Sequence, residues 1–267
     1  MIFNCKKLAE KELENLSQMV NDSISLGVIQ IGEDEVSEVY INEKKKAANK
    51  IGVGFNHYKF SKMITKKELK EEINGFPDQG LIVQLPIKGD LDTQKVLNLI
   101  PFEKDVDVLS EATLGKFYTG RLNILPPVVG AIDKILRNLE IDPKGKVLGV
   151  IGPGRLVGKP TISYGLKRGA SIVSIDENTK NPDGLISKAD ILVTGVGEPN
   201  LVKANMIKEG VVIIDAGTSK KEGRVMGDVD LEDVEDKAGL ITPVPGGVGP
   251  LTVVSLLENL LNKVYGN

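Results

Sequence analysis

Tyr40 and Lys44 are the first pair of residues in the sequence whose types and spacing suit chemistry. They lie four residues apart in a segment with helical periodicity, so both side chains project from one face of a helix. A lysine acts as a general acid or base when burial or a second cation lowers its pKa, and a tyrosine offers a ring face or a phenol to a flat substrate. The same lysine opens the run Lys44-Lys45-Lys46, and such runs are commonly solvated helix faces. The spacing alone leaves both interpretations open.

Gln84 and Asp107 are the next candidates. Gln84 interrupts an apolar strand just before Pro86, at the carboxyl end of the strand, where open α/β sheets bind ligands. Asp107 lies in Lys104-Asp105-Val106-Asp107, and its carboxylate suits an amino-substituted heterocycle such as a pterin. Each residue taken singly is also compatible with a structural role, because a buried amide or carboxylate needs polar partners in any protein.

A glycine-rich turn in the second half indicates a dinucleotide site. The apolar segment Val147–Ile151 runs directly into the turn Gly152-Pro153-Gly154-Arg155-Leu156-Val157-Gly158. Glycines let the backbone approach a pyrophosphate, and the start of the following helix attracts its charge. The spacing is one residue longer than the usual fingerprint, since Val157 occupies the place of the third glycine. Asp176 and Glu177 follow at the distance expected for a carboxylate that binds the adenine ribose. The alternative is an ordinary turn between a strand and a helix.

The elements that position these residues follow from apolar periodicity. The first half predicts a helix through Leu8 and Val20, a strand at 26–31, a helix capped by Ser37 and ended by Gly52 and Gly54, a strand near 57–60, a helix at 66–74, a strand at 81–85 and a helix at 92–100. Residues 101–125 are expected to be irregular. Alternation of this kind predicts a parallel sheet covered by helices.

The second half repeats the alternation more regularly. Pro126-Pro127 opens a helix expected to bridge two domains, and a long apolar helix covers about 252–264. Strands are predicted near 147–151, 171–175, 191–194, 211–215 and 240–242. The predicted fold class is therefore α/β, with two αβα domains: an N-terminal domain built on a parallel sheet and a C-terminal Rossmann-type, doubly wound domain.

Composition excludes several function classes. With Cys5 as the only cysteine and His57 as the only histidine, neither a disulfide framework nor a zinc site of thiolates or several imidazoles is expected, and no metal is predicted. His57 lies in an alternating strand and is expected to be a structural or surface residue and not a catalytic one. A net charge of -3 offers no basic field for nucleic acid, and no apolar run suits a signal peptide or a membrane span. A cytoplasmic protein without nucleic-acid or membrane partners is expected.

Several motifs together resemble the bifunctional methylenetetrahydrofolate dehydrogenase/cyclohydrolase family over nearly the whole chain. The motifs are Ser37-Glu38-Val39-Tyr40 followed by Lys44, Gly80-Leu81-Ile82-Val83-Gln84-Leu85-Pro86, Lys104-Asp105-Val106-Asp107, Ile151-Gly152 with Val157-Gly158-Lys159-Pro160, Gly227-Asp228-Val229, and Thr242-Pro243-Val244-Pro245-Gly246-Gly247-Val248-Gly249-Pro250-Leu251-Thr252. The resemblance implies a folate-binding catalytic domain of residues 1–120 plus 248–267, a dinucleotide-binding domain of residues 121–247, and a cleft between them. It also implies a cytoplasmic homodimer that supplies purine biosynthesis.

The resemblance assigns roles to the candidates in one two-step reaction on tetrahydrofolate one-carbon derivatives. A hydride leaves 5,10-methylenetetrahydrofolate for a nicotinamide, and water then opens the methenyl product to 10-formyltetrahydrofolate. Lys44 transfers the proton in the hydrolysis, Gln84 orients and tunes it, Tyr40 stacks on the folate, and Asp107 anchors the pterin. Further folate-side residues implied by the family are Pro245, Gly246, Gly247 and Thr252, and the cofactor-binding residues are Gly152, Pro153, Gly154, Arg155, Val157, Gly158, Asp176 and Glu177.

The sequence departs from the family pattern near both ligands. Val108 follows Asp107 where the family usually has glycine, and the usual residues are also replaced around Thr113 and Leu125-Pro126-Pro127-Val128. The family default is NADP, but a carboxylate at Asp176 or Glu177 repels a 2′-phosphate and accepts a hydrogen bond from a 2′-hydroxyl. NAD therefore stays open as the cofactor, although Arg155 or Lys180 offers a cation for the phosphate. Two other functions stay open as well: a dehydrogenase of another small substrate, and a non-catalytic relative.

Overall fold

The computed structural model describes residues 1–221 and 224–266, which divide into two compact units. The first unit contains Glu10–Pro127 and the residues from Val253 onward, and the second contains Met1–Ala9 and Val128–Thr252. The first residues belong to the second unit because they pair with its sheet: Phe3 N–H donates to Ile241 O at 2.8 Å. The functional domain bounds 1–120 with 248–267 and 121–247 stay a prediction.

The first unit is built on a short parallel sheet. Its strands are β1 (Ser25–Ile31), β2 (Gly54–Phe60) and β3 (Gly80–Val83), in the order β2-β1-β3. The helices are α1 (Cys5–Ser17, which begins in the second unit), α2 (Glu35–Lys50), α3 (Lys66–Gly75), α4 (Thr93–Leu97) and α5 (Glu111–Tyr118). The central strand β1 is buried along nearly its whole length, as its apolar sequence predicts.

The structure corrects three details of this half. Helix α2 begins three residues earlier than predicted, because Asp34 is its N-cap: its carboxylate accepts both the N–H and the hydroxyl of Ser37, at 2.9 and 2.7 Å. The segment expected to be irregular contains α5, which is capped by Ser110. The predicted helix at 92–100 is reduced to the five residues of α4.

The second unit has a larger parallel sheet with the strand order β10-β7-β6-β4-β5. The strands are β4 (Val147–Ile151), β5 (Ser171–Ile175), β6 (Ile191–Thr194), β7 (Val212–Asp215) and β10 (Leu240–Ile241). The helices are α6 (Pro127–Asn138), α7 (Gly158–Lys167), α8 (Pro182–Ile186), α9 (Leu231–Val234) and α10 (Val248–Tyr265, which continues into the first unit). Two further strands that the sequence did not predict, β8 (Ser219–Lys221) and β9 (Arg224–Met226), pair with each other in antiparallel orientation.

The strand order of this sheet contains a topological switch. The chain passes from β4 to β5 on one side and then to β6 on the other side of β4. In open α/β sheets the crevice at such a point, beyond the carboxyl ends of the strands, is the ligand site. The glycine-rich turn directly follows β4 and therefore lies at this crevice. The α/β class and the two parallel sheets predicted from the sequence are confirmed.

The residues that the structure describes contain neither a membrane-spanning helix nor a cluster of metal-binding side chains. None of their helices is long and apolar enough to cross a membrane. Across the same residues, no three side chains of His, Cys, Asp or Glu are grouped so that they could hold a metal ion.

Candidate active site

Lys44 and Gln84 form a direct hydrogen bond within the first unit. The Lys44 ammonium donates to Gln84 Oε1 at 2.7 Å, and Gln84 Nε2 donates to Leu85 O at 2.8 Å. The second bond fixes which end of the amide faces the lysine, because reversing the amide would bring its oxygen against Leu85 O. Gln84 is buried, and its N–H donates to Ile29 O of β1. Gln84, which was predicted to orient Lys44, is therefore held against the sheet and contacts the lysine directly.

The position of Lys44 on α2 is fixed by the start of that helix. Besides capping α2, Asp34 forms an ion pair with Lys88, which follows β3, at 3.0 Å. The contact links the beginning of the helix to the loop that also carries Gln84. Of the three lysines in the run, Lys45 and Lys46 are exposed and Lys44 is half-buried. The lysine run is thus a solvated helix face except at Lys44, whose partner Gln84 is buried.

Burial shifts the ionisation of Lys44 and Asp107 toward their neutral forms. It lowers the pKa of Lys44, although the nearby charge of Asp107 opposes the shift. Burial raises the pKa of the Asp107 carboxyl to about 6; Lys44 opposes this rise and Asp105 adds to it. Both residues keep some accessible surface, but their charged groups are enclosed by protein, and the pKa follows the charged groups. A lysine in this setting is available as a neutral base nearer to neutral pH than an exposed one.

The turn that carries Asp107 is held by a buried carboxylate that the sequence did not single out. Asp105 accepts hydrogen bonds from the N–H groups of Val108 and Ser110, each at 2.9 Å, and from the hydroxyl of Thr113. An isolated bridge pairs Asp105 with Leu81 of β3. The turn is therefore fixed against the strand that leads to the lysine partner.

One departure from the family pattern, Val108, lies in this turn, and a second, Thr113, lies on α5 directly after it. Val108 has φ +58° and is fully buried, a backbone conformation in which a β-branched residue is strained and glycine is not. The hydroxyl of Thr113 donates a hydrogen bond to the Asp105 carboxylate. Leu125 is held by Asn259 of α10, whose Nδ2 donates to Leu125 O at 2.7 Å and to Val106 O at 2.9 Å. Sequence reasoning missed Asn259, because an amide within an apolar helix gives no sign of its partners.

Tyr40 and His57 lie on elements beside this group. Tyr40 is one helical turn before Lys44 and is 39% exposed, so its ring is open to a ligand. His57 is on β2, and its Nε2 lies 2.7 Å from Gln30 Oε1 of β1. Burial lowers the pKa of His57, with Lys59 contributing in the same direction. The histidine takes part in a hydrogen bond between neighbouring strands.

The glycine turn of the second unit has the geometry of an anion cradle. Gly152 has φ +80°, and a Cβ on Gly158 would lie 2.1 Å from Gly152 O, so both positions require glycine. A Cβ on Gly154 would meet no atom within 4 Å, which leaves one side of the turn open. No side chain of the described chain caps α7 at Val157. Lys159 N–H donates to Gly154 O at 3.0 Å and Pro160 has no N–H, so Gly158 is the position in the first turn that can offer a backbone N–H to an anion. These features fit the pyrophosphate of a dinucleotide.

The remaining predicted cofactor residues surround this turn and the end of β5. Pro153 is half-buried within the turn and Arg155 is exposed. Asp176 directly follows β5, and its Oδ1 accepts the N–H of Asn178 and the hydroxyl of Thr179, each at 3.0 Å. Its carboxylate is therefore held in a local turn at the position expected for a ribose contact, next to the exposed Glu177.

The Pro-Gly-Gly-Val-Gly-Pro segment lies in the second unit and leads into α10. Gly246 has φ +90°, and a Cβ on Gly247 would lie 2.1 Å from Pro243 O, so the turn requires both glycines. Pro245 is exposed, and the hydroxyl of Thr252 donates to Val248 O within the helix. Helix α10 begins four residues earlier than predicted, because Pro250 is tolerated in a first turn.

Two family models match almost the whole chain. Residues 3–107 match the catalytic domain of tetrahydrofolate dehydrogenase/cyclohydrolase, and residues 126–266 match its NAD(P)-binding domain. The chain belongs to this family. The bifunctional protein FolD of Mycoplasmopsis synoviae is 40% identical over 97% of this chain and 95% of its own length.

Solved structures of family members have the same fold. The bifunctional methylenetetrahydrofolate dehydrogenase/cyclohydrolase FolD from Campylobacter jejuni superposes with a TM-score of 0.96 at 32% identity, covering 100% of this chain and 99% of its own. The Trypanosoma brucei dehydrogenase-cyclohydrolase, solved with NADP and an inhibitor, superposes with a TM-score of 0.93 at 28% identity, covering 100% and 97%. Membership of the family predicted from the sequence is confirmed.

Proposed function

We propose that this chain oxidises 5,10-methylenetetrahydrofolate with NADP to 5,10-methenyltetrahydrofolate and hydrolyses the product to 10-formyltetrahydrofolate. The observation that carries the proposal is the Lys44–Gln84 hydrogen bond beside Asp107, in a chain whose other unit has a glycine turn at the switch point of its sheet. The first group suits proton transfer on a folate, and the second suits a dinucleotide. NADP, when bound, accepts the hydride that leaves the methylene carbon.

Lys44 is the proton-transfer residue of the hydrolysis in this proposal. Water adds to the cationic methenyl carbon, and the neutral amine of Lys44 takes one of its protons. The bond from that carbon to N5 then breaks as the hydroxyl proton is lost and N5 is protonated, which leaves the formyl group on N10 and releases one proton in all. The substrate is a cation, so its charge favours the neutral lysine beyond the effect of burial.

The neighbouring residues bind and orient the folate. Gln84 holds the lysine amine through its Oε1 and thereby directs the lone pair of the neutral amine away from the amide. Tyr40 stacks on the ring system from the exposed side of α2. Asp107 accepts hydrogen bonds from the pterin, and the turn at Pro245, Gly246, Gly247 and Thr252 contributes further folate contacts. As the pKa of Asp107 is about 6, this binding weakens when the pH falls through that value.

The dinucleotide site accounts for the cofactor in the same proposal. The open side of Gly154 and the start of α7, which has no side-chain cap, receive the pyrophosphate in this proposal. The exposed Arg155 is assigned to the adenosine end. Val157 and Gly158 shape the turn, and Pro153 closes it. Asp176 and Glu177 lie where the adenine ribose binds, and this keeps NAD as the competing cofactor.

The cellular setting belongs to the proposal as well. We propose a cytoplasmic homodimer whose 10-formyl product supplies purine biosynthesis, and this rests on the family resemblance. The single cysteine, Cys5, is buried, and burial raises its thiol pKa to about 12, which suits a protein without disulfides. Sedimentation of the purified protein at several concentrations measures the oligomeric state, and a monomer throughout would contradict the dimer.

Two sets of rates test the proposed chemistry. Initial rates with methylenetetrahydrofolate and NADP or NAD, run in parallel, are expected to show reduction of NADP. Lys44→Ala is expected to abolish hydrolysis of methenyltetrahydrofolate while cofactor binding persists, and Lys45→Ala is the matched control, since that lysine is exposed. Hydrolysis retained in Lys44→Ala would remove the assigned role. Failure of the wild-type protein to reduce either cofactor with this substrate would favour another dehydrogenase or a non-catalytic relative.

A further inference from the structure

Asp228 is a fully buried carboxylate in the second unit, and its hydrogen bonds gather the loop that follows β6. It accepts the hydroxyl of Thr194 at 2.6 Å and three consecutive backbone N–H groups, those of Val196, Gly197 and Glu198, at 2.7, 2.8 and 2.9 Å. A carboxylate presents about four lone-pair sites, so these donors satisfy it. The backbone of residues 196–198 is therefore wrapped around one side chain that comes from 30 or more residues further along the chain.

The environment of Asp228 is built to admit this carboxylate. A Cβ on Gly217 would lie 2.1 Å from Asp228 Oδ1, so that position must be glycine. A second buried carboxylate, Asp215, accepts the N–H groups of Gly217 and Val229 at 2.9 and 3.0 Å. Asp215 thus fixes both Val229, the residue directly after Asp228, and Gly217, which lies against the Asp228 carboxylate. Gly217 and Asp215, which position Asp228, are therefore held by close contacts, as is the loop at 196–198 that Asp228 binds.

The loop at 195–198 adjoins the glycine turn that follows β4. Gly195 N–H donates to Ile151 O at 3.2 Å. A Cβ on Gly195 would lie 2.7 Å from the side chain of Val157, and a Cβ on Gly152 would lie 2.8 Å from Val196 Cγ2. The two loops therefore pack in van der Waals contact at the carboxyl ends of neighbouring strands, on the two sides of the switch point.

The strand order indicates which half of a dinucleotide meets this loop. The carboxylate of Asp176 marks the adenosine side at the end of β5, and β6 lies on the opposite side of β4. A dinucleotide whose pyrophosphate lies over the turn after β4 extends its nicotinamide half toward β6. The loop at 195–198 faces that half, and Val196, Gly197 and Glu198 are exposed to receive it.

We propose that Asp228 is a positioning residue for the nicotinamide half of the cofactor, acting through the backbone of residues 196–198. The inference rests on the proposed function, since it assumes a dinucleotide at the switch point. Asp228 does not touch the ligand: it fixes the wall against which the nicotinamide ribose and ring are placed.

The decisive variant is Asp228→Asn, which keeps the shape of the side chain but points an amide donor at backbone N–H donors. Thr194→Val is a milder second variant that removes one of the four donors and keeps the volume. Asp230→Asn is the matched control, because Asp230 is a neighbouring carboxylate whose side chain makes no capping hydrogen bond to α9. Three readouts are compared: the Kd of NADP, the Kd of adenosine 2′,5′-bisphosphate, and the rate of methenyltetrahydrofolate hydrolysis, which needs no cofactor.

We expect Asp228→Asn to weaken NADP by about tenfold or more, consistent with the loss of charge-assisted hydrogen bonds. The adenosine fragment and the hydrolysis rate should change by less than about twofold, since neither uses this wall, and Thr194→Val should show a smaller loss for NADP only. Unchanged NADP affinity in both variants overturns the proposal. Equal losses in all three readouts for Asp228→Asn also overturn it, because they indicate a purely structural residue. If Asp228→Asn does not fold, the same comparison is made with Thr194→Val, and equal losses there overturn the proposal. Absence of NADP binding in the wild-type protein refutes the proposed function instead.

Discussion

Gln84→Glu tests whether the ionisation of Lys44 governs hydrolysis. In the native protein the lysine ammonium donates to a neutral amide oxygen at 2.7 Å. Glutamate has the same length and places a carboxylate oxygen there, so the charged form of Lys44 is strongly favoured. We therefore expect the pKa of Lys44 to rise, and the acidic limb of the hydrolysis profile to move to higher pH.

The distance sets the size of the shift. Two unit charges at 2.7 Å attract by about 6 kcal/mol at an effective dielectric constant of about 20. Desolvation of the new carboxylate, and its repulsion from Leu85 O, offset a large part of this, which leaves a rise of about 1–3 pKa units, typical of a close ion pair. Each unit lowers the neutral fraction of the lysine about tenfold below its pKa. The rate near neutral pH should fall by about 10- to 1000-fold.

The assay is the decay of methenyltetrahydrofolate absorbance at saturating substrate, measured from acidic to alkaline pH and corrected for spontaneous hydrolysis. Gln84→Met is the matched control: it removes the acceptor and adds no charge, so its rate should fall without movement of the acidic limb to higher pH. The reasoning is refuted if the acidic limb of Gln84→Glu stays at the wild-type position or moves to lower pH. In that case a group other than Lys44 sets the profile.

Three further predictions concern charge, backbone strain and helix capping. Asp107→Asn removes the charge that raises the pKa of Lys44, so the acidic limb of hydrolysis should move to lower pH while folate affinity falls; a shift to higher pH would contradict the assigned electrostatics. Val108→Gly relieves a strain of about 1–2 kcal/mol at φ +58° but loses a buried side chain of about 1.5–3 kcal/mol. Urea unfolding should therefore show a smaller loss for it than for Val106→Gly, a buried valine without positive φ, and equal losses would remove the strain argument. Thr65→Ala breaks the capping box of α3 and should lower the free energy of unfolding by about 1 kcal/mol at unchanged catalytic rates, whereas no change would mean that the cap is not needed.

The sheets were predictable because their strands are short apolar runs, and such runs are buried whichever neighbours they acquire. Each predicted strand of the second unit appears within about one residue of its expected position. The predicted start of α2 at Ser37 was wrong, because Asp34 and Ser37 are both good cap residues. In the structure Asp34 is the cap, and it also pairs with Lys88. Helix α5 was missed because its apolar stripe is weak and its position depends on contacts with Asp105.

The candidate site divides in the same way. The glycine turn could be found locally, since strand, glycines and helix follow one another in the sequence. The bond between Lys44 and Gln84 could not, because it joins residues 40 positions apart and only the family resemblance brought them together. The positive φ of Val108 and the hydrogen bonds of Asp228 could not be derived from the sequence, although the family pattern marks both positions: glycine is usual after Asp107, and Gly227-Asp228-Val229 is one of the shared motifs. Both depend on contacts that form only when distant segments fold together.

The lone imidazole on β2 makes the first unit easy to observe by spectroscopy. With one histidine in the chain, the two carbon-bound ring protons of His57, Hδ2 and Hε1, give the chain's only histidine ring signals in the proton NMR spectrum, so no isotope labelling is needed to tell histidines apart. The His57 ring is hydrogen-bonded to Gln30 of β1, and its pKa depends in part on the charges of Glu38 and Lys45 on α2. The chemical shifts of this ring therefore report on changes in the position or charge of α2, the helix that carries Lys44. A folate titration can be followed through them on the unmodified protein.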